Sequence, residues 1–136
     1  MKTILIIEDE NLIRSSLARA LKRDGFSIAE AQDVNGALEA VRQKAWELVI
    51  LDLYLGDGMH GLPMIREIHR QSPATKIIVI TAFGTEEVRE SALMEGIDRF
   101  YDKPFEISEL RQSVKEVLGE THSPQDPEGV TPGSLI

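Results

Sequence analysis

Five polar residues stand where short apolar runs of the chain end. Glu8 and Asp9 follow TILII, Asp52 follows LVIL, Thr81 follows IIVI, and Lys103 comes shortly after RFY. Three carboxylates, a hydroxyl and an ammonium are the parts a phosphoryl-transfer site needs. The acids can hold a cation, one of them can act as nucleophile, and the hydroxyl and ammonium can meet the phosphoryl oxygens. Pressed together without a cation, three carboxylates would repel and raise one another's proton affinity. Oxygen ligands with no Cys or His beside them favour a hard ion, which makes Mg²⁺ the natural cofactor. With Mg²⁺ and one lysine the group is formally neutral. Taken singly, each residue has a plainer explanation. Asp9, like Asp33 further on, would serve as a helix cap, Thr81 would be an ordinary strand end, and Lys103 a solvated lysine. The weight comes from four of five strand ends supplying complementary parts of one site.

The elements that must position these residues read as five repeats of strand then helix. Thr3–Ile7 is a short isoleucine-rich run of the kind buried on both faces of a sheet. Asn11 is placed to cap a helix with apolar positions Leu12, Ile13, Leu17, Ala20 and Leu21, which Gly25 ends. Phe26–Ala31 is the second strand, and Asp33 caps a helix carrying Val34, Ala37, Leu38 and Val41. Leu48–Leu51 is the third strand, followed by Asp52 and a glycine-rich loop, Gly56-Asp57-Gly58. Pro63 suits the first turn of the next helix, and Ser72-Pro73 closes it. Ile77–Ile80, Thr85–Glu95, Arg99–Tyr101 and Ile107–Leu118 complete the fourth and fifth repeats.

Such alternation predicts an α/β fold: a five-stranded parallel sheet, order 2-1-3-4-5, with five helices on both faces. In open sheets of this kind ligands bind beyond the carboxyl ends of the strands, where strand order reverses. In that order strands one and three are neighbours, and their acids converge. Residues 1–120 are expected to form the domain. Thr121–Ile136, with three of the six prolines and no helical stripe, is expected to be a tail or a truncated linker.

Composition narrows the function further. A net charge of −8 argues against nucleic acid or an anionic membrane as partner of the whole surface. The absence of cysteine removes disulfides, thiolate metal sites and cysteine nucleophiles together, and fits a cytoplasmic setting. No stretch approaches the length of a membrane span, and the start of the chain reads as a strand rather than a signal peptide. His60, His69 and His122 share no ligand spacing and are read as surface residues. Trp46 is read as a packing anchor, and Leu93 and Met94 as the edge of the core.

ILIIEDE, LVILDLYL, IIVITAFG and DKPF, in this order and at these separations, resemble the response-regulator receiver family of bacterial two-component systems. The resemblance runs from about Thr3 to Leu118. It implies that Asp52 is the phosphoacceptor, charged by a sensor histidine kinase, a phosphotransfer protein or a small phosphodonor. It further implies that Glu8, Asp9, Asp52 and the backbone carbonyl of Tyr54 hold Mg²⁺, and that Lys103 pairs with the phosphoryl oxygens. Thr81 and Phe100 are the implied switch pair, biasing a surface made of the fourth helix, the fifth strand and the fifth helix. The bond before Pro104 is the implied cis peptide. An output partner or effector domain is implied without being identified, and a phosphorylation-dependent homodimer is left open.

Several positions depart from the family pattern. Glu8 stands where Asp is commoner, Gly56 replaces a usual proline, Gly61 comes one residue late, and Phe100 replaces the commoner tyrosine. Tyr54 and Phe83, two residues beyond Asp52 and Thr81, are bulky where the family shields or orients the hydrolytic water. Slow self-dephosphorylation is the expectation, against mere packing of two rings on the rim. The main alternative is a phosphatase with an aspartyl-phosphate intermediate. Such enzymes carry a second acid two residues after the nucleophile, and here that residue is Tyr54. A receiver-like module that takes no phosphate is the other alternative. The reading adopted is a switch that catalyses only its own phosphorylation and dephosphorylation.

Overall fold

The computed structural model describes residues 2–56 and 58–119. The elements run β1 (Thr3–Ile7), α1 (Asn11–Arg23), β2 (Ser27–Ala31), α2 (Val34–Gln43), β3 (Leu48–Asp52), β4 (Tyr54–Leu55), β5 (Gly58–Met59), α3 (Gly61–Gln71), β6 (Lys76–Thr81), α4 (Glu86–Met94), β7 (Arg99–Asp102) and α5 (Ile107–Val117). Five strands form a parallel sheet in the order β2-β1-β3-β6-β7. Counted without the small β4–β5 hairpin, this is the predicted 2-1-3-4-5.

Apolar residues fill the interior positions of the central strands because both faces are covered. Leu5 and Ile7, Val49 and Leu51, and Ile77 and Val79 pack with Ala37, Val41, Met64, Ile65, Ile68 and Ala92 of α2, α3 and α4. The alternate residues Ile4 and Ile6, Leu48 and Ile50, and Ile78 and Ile80 pack with Ile13, Leu17, Leu21, Leu110 and Val114 of α1 and α5. Truncating one such side chain costs about 2–5 kcal/mol, whereas ion pairs between exposed side chains, such as Arg99–Glu116, contribute little. The two apolar layers therefore hold the fold. One better-protected pair adds to them: Arg111 Nε and Nη2 donate to both oxygens of Asp24, joining the end of α1 to α5. Burial raises the Asp24 carboxyl, but the hydrogen bonds and charge of Arg111 win and hold it below its ordinary value.

Local readings of the sequence fared unevenly. Asp33 caps α2, accepting from Gly36 N at 2.7 Å. Asn11 does not cap α1; the N-cap is Glu10, and Asn11 is the first helical residue, its Oδ1 turned to the Arg14 guanidinium. Leu12 lies 82% exposed. It sits one residue off the Ile13–Leu17–Leu21 stripe, about 100° round the helix from the buried face. Leu93 and Met94 are likewise exposed, outside the core rather than at its edge. Trp46 is buried, and its Nε1 donates to Ala40 O at 2.8 Å. His60 and His69 are half-buried; His122 and the expected tail, 121–136, lie outside the described residues. Among the described residues no helix is long and apolar enough to cross a membrane.

The predicted loop after Asp52 contains a hairpin. Tyr54 pairs with Met59 and Leu55 with Gly58. Gly61 closes it, its N–H donating to Leu53 O at 2.9 Å. A Cβ there would stand 2.4 Å from Leu53 Cα, so only glycine allows this approach immediately after the strand that ends in Asp52.

Candidate functional site

The carboxyl ends of β1, β3, β6 and β7 meet where strand order reverses, and the polar residues named from the sequence gather there. The register sets Asp52 beside Ile80, one residue short of Thr81, and sets Thr81 beside Asp102, one residue short of Lys103. Lys103 N donates to Thr81 O at 2.8 Å, fixing the start of its own loop to the neighbouring strand. The Lys103–Pro104 peptide bond is cis.

Each acid of the site is held by a backbone N–H. Glu8 Oε2 accepts from Glu10 N, Asp9 Oδ2 from Gly56 N, and Asp52 Oδ1 from Tyr54 N, all at 3.0 Å. Lys103 reaches in from the β7–α5 turn. Its Nζ lies 2.8 Å from Asp52 Oδ2 and 2.8 Å from Glu8 Oε1. These are buried charges: Glu8 is 0% and Asp52 3% exposed. Asp9 stands exposed at the rim.

Burial pushes the Glu8 carboxyl up to about 7, with the Asp52 charge adding to the rise and contacts from Lys103 and Glu10 N only partly opposing it. Burial alone would lower the Lys103 ammonium, but hydrogen bonding and charge from Asp52 and Glu8 carry it above its ordinary value. Lys103 is therefore cationic at neutral pH. One lysine is too little for the acids around it.

The same imbalance shows what the cluster can hold. One oxygen from each of Glu8, Asp9 and Asp52 lies within 4.8 Å of the others. Mg²⁺ takes oxygen ligands at about 2.1 Å, so oxygens sharing one ion stand roughly this close. Glu8 Oε1 is buried, and its close contact is Lys103 Nζ, a cation it must share with Asp52. A desolvated carboxylate oxygen of this kind fits a divalent cation, as does a donor set made only of oxygen.

Around this centre lie the remaining residues named from the sequence. Thr81 is fully buried, its Oγ1 accepting from Phe83 N at 3.3 Å. Tyr54 and Phe83 meet edge to face, ring centroids 5.0 Å apart, the Phe83 ring largely exposed. They join the loops that follow Asp52 and Thr81. Phe100 is half-buried, with the Arg89 guanidinium 4.8 Å from its ring centroid. Gly84 fits against it: a Cβ there would stand 3.0 Å from the Phe100 ring and 2.1 Å from Asp102 Oδ1.

The sequence reading missed Glu10. Its carboxylate lies 3.6 Å from Lys103 Nζ and is mostly exposed at the mouth of the site. The signal available was three acids in a row, Glu8-Asp9-Glu10, of which only two were assigned.

A parallel sheet in this order, with a buried carboxylate and lysine among acids at its switch point, defines a doubly wound α/β class with its ligand site at the carboxyl ends of the strands. The chain belongs to the response regulator receiver domain family of two-component systems, whose family model matches residues 4–115. It is similar to the KDP operon transcriptional regulatory protein KdpE of Escherichia coli K12, 41% identical over 119 residues, covering 87% of this chain and 52% of that protein. It thus spans about half the length of that relative. A CheY-like receiver domain protein from Methanospirillum hungatei JF-1 superposes with a TM-score of 0.83 at 28% identity, over 88% of this chain and 95% of that one. A response regulator from Burkholderia pseudomallei, solved with a phosphorylated aspartic acid, a calcium ion and citrate, gives 0.78 at 26% identity over 88% of this chain and 70% of that one.

The raised Glu8 carboxyl makes a prediction about stability. A group whose folded value lies above its unfolded value stabilises fully below the unfolded value, near 4.5, and loses that contribution as pH rises towards 7. In urea unfolding without divalent cations, wild-type protein should lose about 2–3 kcal/mol relative to Glu8→Gln between pH 4.5 and 7.5. Parallel stability curves for the two proteins would refute the assignment.

Proposed function

We propose that this chain is a phosphorylation switch that accepts a phosphoryl group on Asp52 from the phosphohistidine of a sensor kinase or phosphotransfer protein. The observation that carries the reading is the contact of Lys103 Nζ with Asp52 Oδ2, 2.8 Å, inside an otherwise acidic cleft. The bond from phosphorus to the donor nitrogen breaks as the bond to an Asp52 oxygen forms. Phosphoryl transfer asks mainly for positioning and for positive charge around the equatorial oxygens. Lys103, kept cationic by its carboxylate neighbours, exchanges part of its contact with Asp52 for the incoming oxygens. Glu8, Asp9, Asp52 and the Tyr54 carbonyl would hold Mg²⁺. Bound there, the ion supplies the positive charge that one lysine cannot.

Thr81 is the hydroxyl nearest in register to Asp52 and Lys103, and its proposed role is to turn towards the phosphoryl group and hydrogen-bond it. Phe100 then repacks, and the change reaches α4 through Arg89, which contacts both the Phe100 ring and Asp102, the latter at 3.8 Å. The output surface is α4, β7 and α5, the same three elements expected from the sequence. Its partner is an effector segment, a separate protein or a second copy of the chain. Apart from its own phosphorylation and dephosphorylation the chain turns over no substrate. The Burkholderia relative, recorded with a phosphorylated aspartic acid and a calcium ion, supports both the acceptor chemistry and a divalent cation.

Incubation with acetyl phosphate and Mg²⁺, followed by intact-mass measurement and peptide mapping, should add one phosphoryl group at Asp52. Modification that persists in Asp52→Asn, or that proceeds equally after chelation of divalent ions, would overturn the reading.

The proposed role of the Tyr54–Phe83 pair, whose rings meet edge to face, is to hinder water from the side of the two loops, which predicts a long-lived phosphorylated state. Phosphate loss from wild type should be slow, and Tyr54→Asn should speed it several-fold. Loss within seconds in wild type, or no difference in the variant, would reduce the rings to packing.

A further inference from the structure

Arg14 plays no part in the site as described so far, yet its surroundings are unusual for a charged residue on a helix. Its side chain is only 12% exposed. Its three guanidinium nitrogens meet acceptors on three different residues, one main-chain carbonyl and two side-chain oxygens. Nη1 donates to Glu8 O at 2.6 Å, Nη2 to Asn11 Oδ1 in the first turn of α1, and Nε to Glu30 Oε1 on β2 at 3.2 Å. The planar fork lets one side chain satisfy all three at once, which a lysine cannot do.

The Glu8 carbonyl belongs to the peptide unit that joins Glu8 to Asp9. The same turn is held from the other end by Glu8 N, which donates to Ala31 O at 3.0 Å. The two bonds thus hold the peptide units on either side of the Glu8 Cα. The second unit, held by Arg14, is shared with Asp9, so together they set where the acid side chains leave the backbone. We infer that Arg14 is a positioning residue for the acidic turn, holding the Glu8–Asp9 peptide so that both carboxylates face Asp52. The inference rests on the proposed divalent-cation site. Arg14 touches neither the cation position nor the phosphoacceptor; it acts through the backbone. Groups that hold metal ligands in place commonly set affinity by about 10–100-fold, so its removal should be felt in cation binding before it is felt in folding.

Glu30 and Arg111 supply the controls. Glu30→Gln removes the ion pair on β2 but keeps the Arg14–Glu8 carbonyl bond. Arg111→Met breaks the pair with Asp24 that ties α1 to α5, at the far end of the helix from the acids. The experiment is a calorimetric titration of each protein with Mg²⁺ at one pH, with the melting temperature recorded alongside. Arg14→Met should bind Mg²⁺ about 10-fold or more weakly than wild type, and Arg14→Lys should recover part of the loss. Glu30→Gln and Arg111→Met should bind within about twofold of wild type, even where their melting temperatures fall as far as that of Arg14→Met. Arg14→Met and Arg14→Lys binding as tightly as wild type would overturn the positioning role while leaving the cation site intact. An equal loss in Arg111→Met would also overturn it, by tracing the effect to general loosening of α1. Wild-type protein that binds no Mg²⁺ would overturn both the inference and the reading beneath it.

Discussion

An ammonium wedged between two buried carboxylates is the interaction on which the rest of this molecule turns. Lys103 contacts Asp52 and Glu8 at 2.8 Å each, in a place where neither acid reaches bulk water. Burying a charge is costly unless a partner compensates it. Here compensation is incomplete, and Glu8 responds by holding its proton to about 7. A site left short of positive charge has a standing affinity for cations, and a lysine shared between two acids is available to a third anionic group. Both properties are what an acceptor of phosphoryl groups requires. The protein tolerates the local cost because the two apolar layers on either side of the sheet stabilise the fold independently of it.

The sheet supplies rigidity where the chemistry needs it. Asp52 ends a strand flanked by two others, and its neighbours along the strand are fully buried on both faces. Glu8 and Asp9 leave the next strand through a turn pinned by backbone hydrogen bonds. Thr81 and Lys103 enter from the other side, joined to each other by a main-chain bond. The parts that must respond are different in kind. Phe100 is half-buried, and α4 buries only Ala92 fully, so this edge is held by fewer apolar contacts than the centre. Such an edge is suited to two arrangements of similar free energy. In the proposed switch, a fixed acceptor beside a less tightly packed edge would let a change of a few atoms at Asp52 be read on the surface.

Much of this was legible in the sequence, and for a physical reason. Parallel strands buried on both faces appear as unbroken apolar runs, and a ligand site at their carboxyl ends appears as polar residues following those runs. Glu8, Asp9, Asp52, Thr81 and Lys103 were found by that rule alone. Features set by side-chain reach were not legible. Glu10 approaches Lys103 because the turn directs it there, Leu12 is exposed because it lies just off the stripe, and Asn11 enters the helix because Glu10 takes the capping position. The β4–β5 hairpin escaped because two-residue strands carry no periodicity. Arg14 reads as one of several arginines until its bond to the Glu8 carbonyl, and those to the Asn11 and Glu30 side chains, are seen.

The central claim, that Asp52 receives a phosphoryl group within a shell completed by Lys103 and a divalent cation, has a direct test in fluorine NMR. Beryllofluoride mimics the acyl phosphate without turning over. With Mg²⁺ present, wild-type protein should show bound fluorine resonances that are lost in Asp52→Asn and weakened in Lys103→Met. Bound resonances of equal intensity in Asp52→Asn, or none in wild type, would contradict the account.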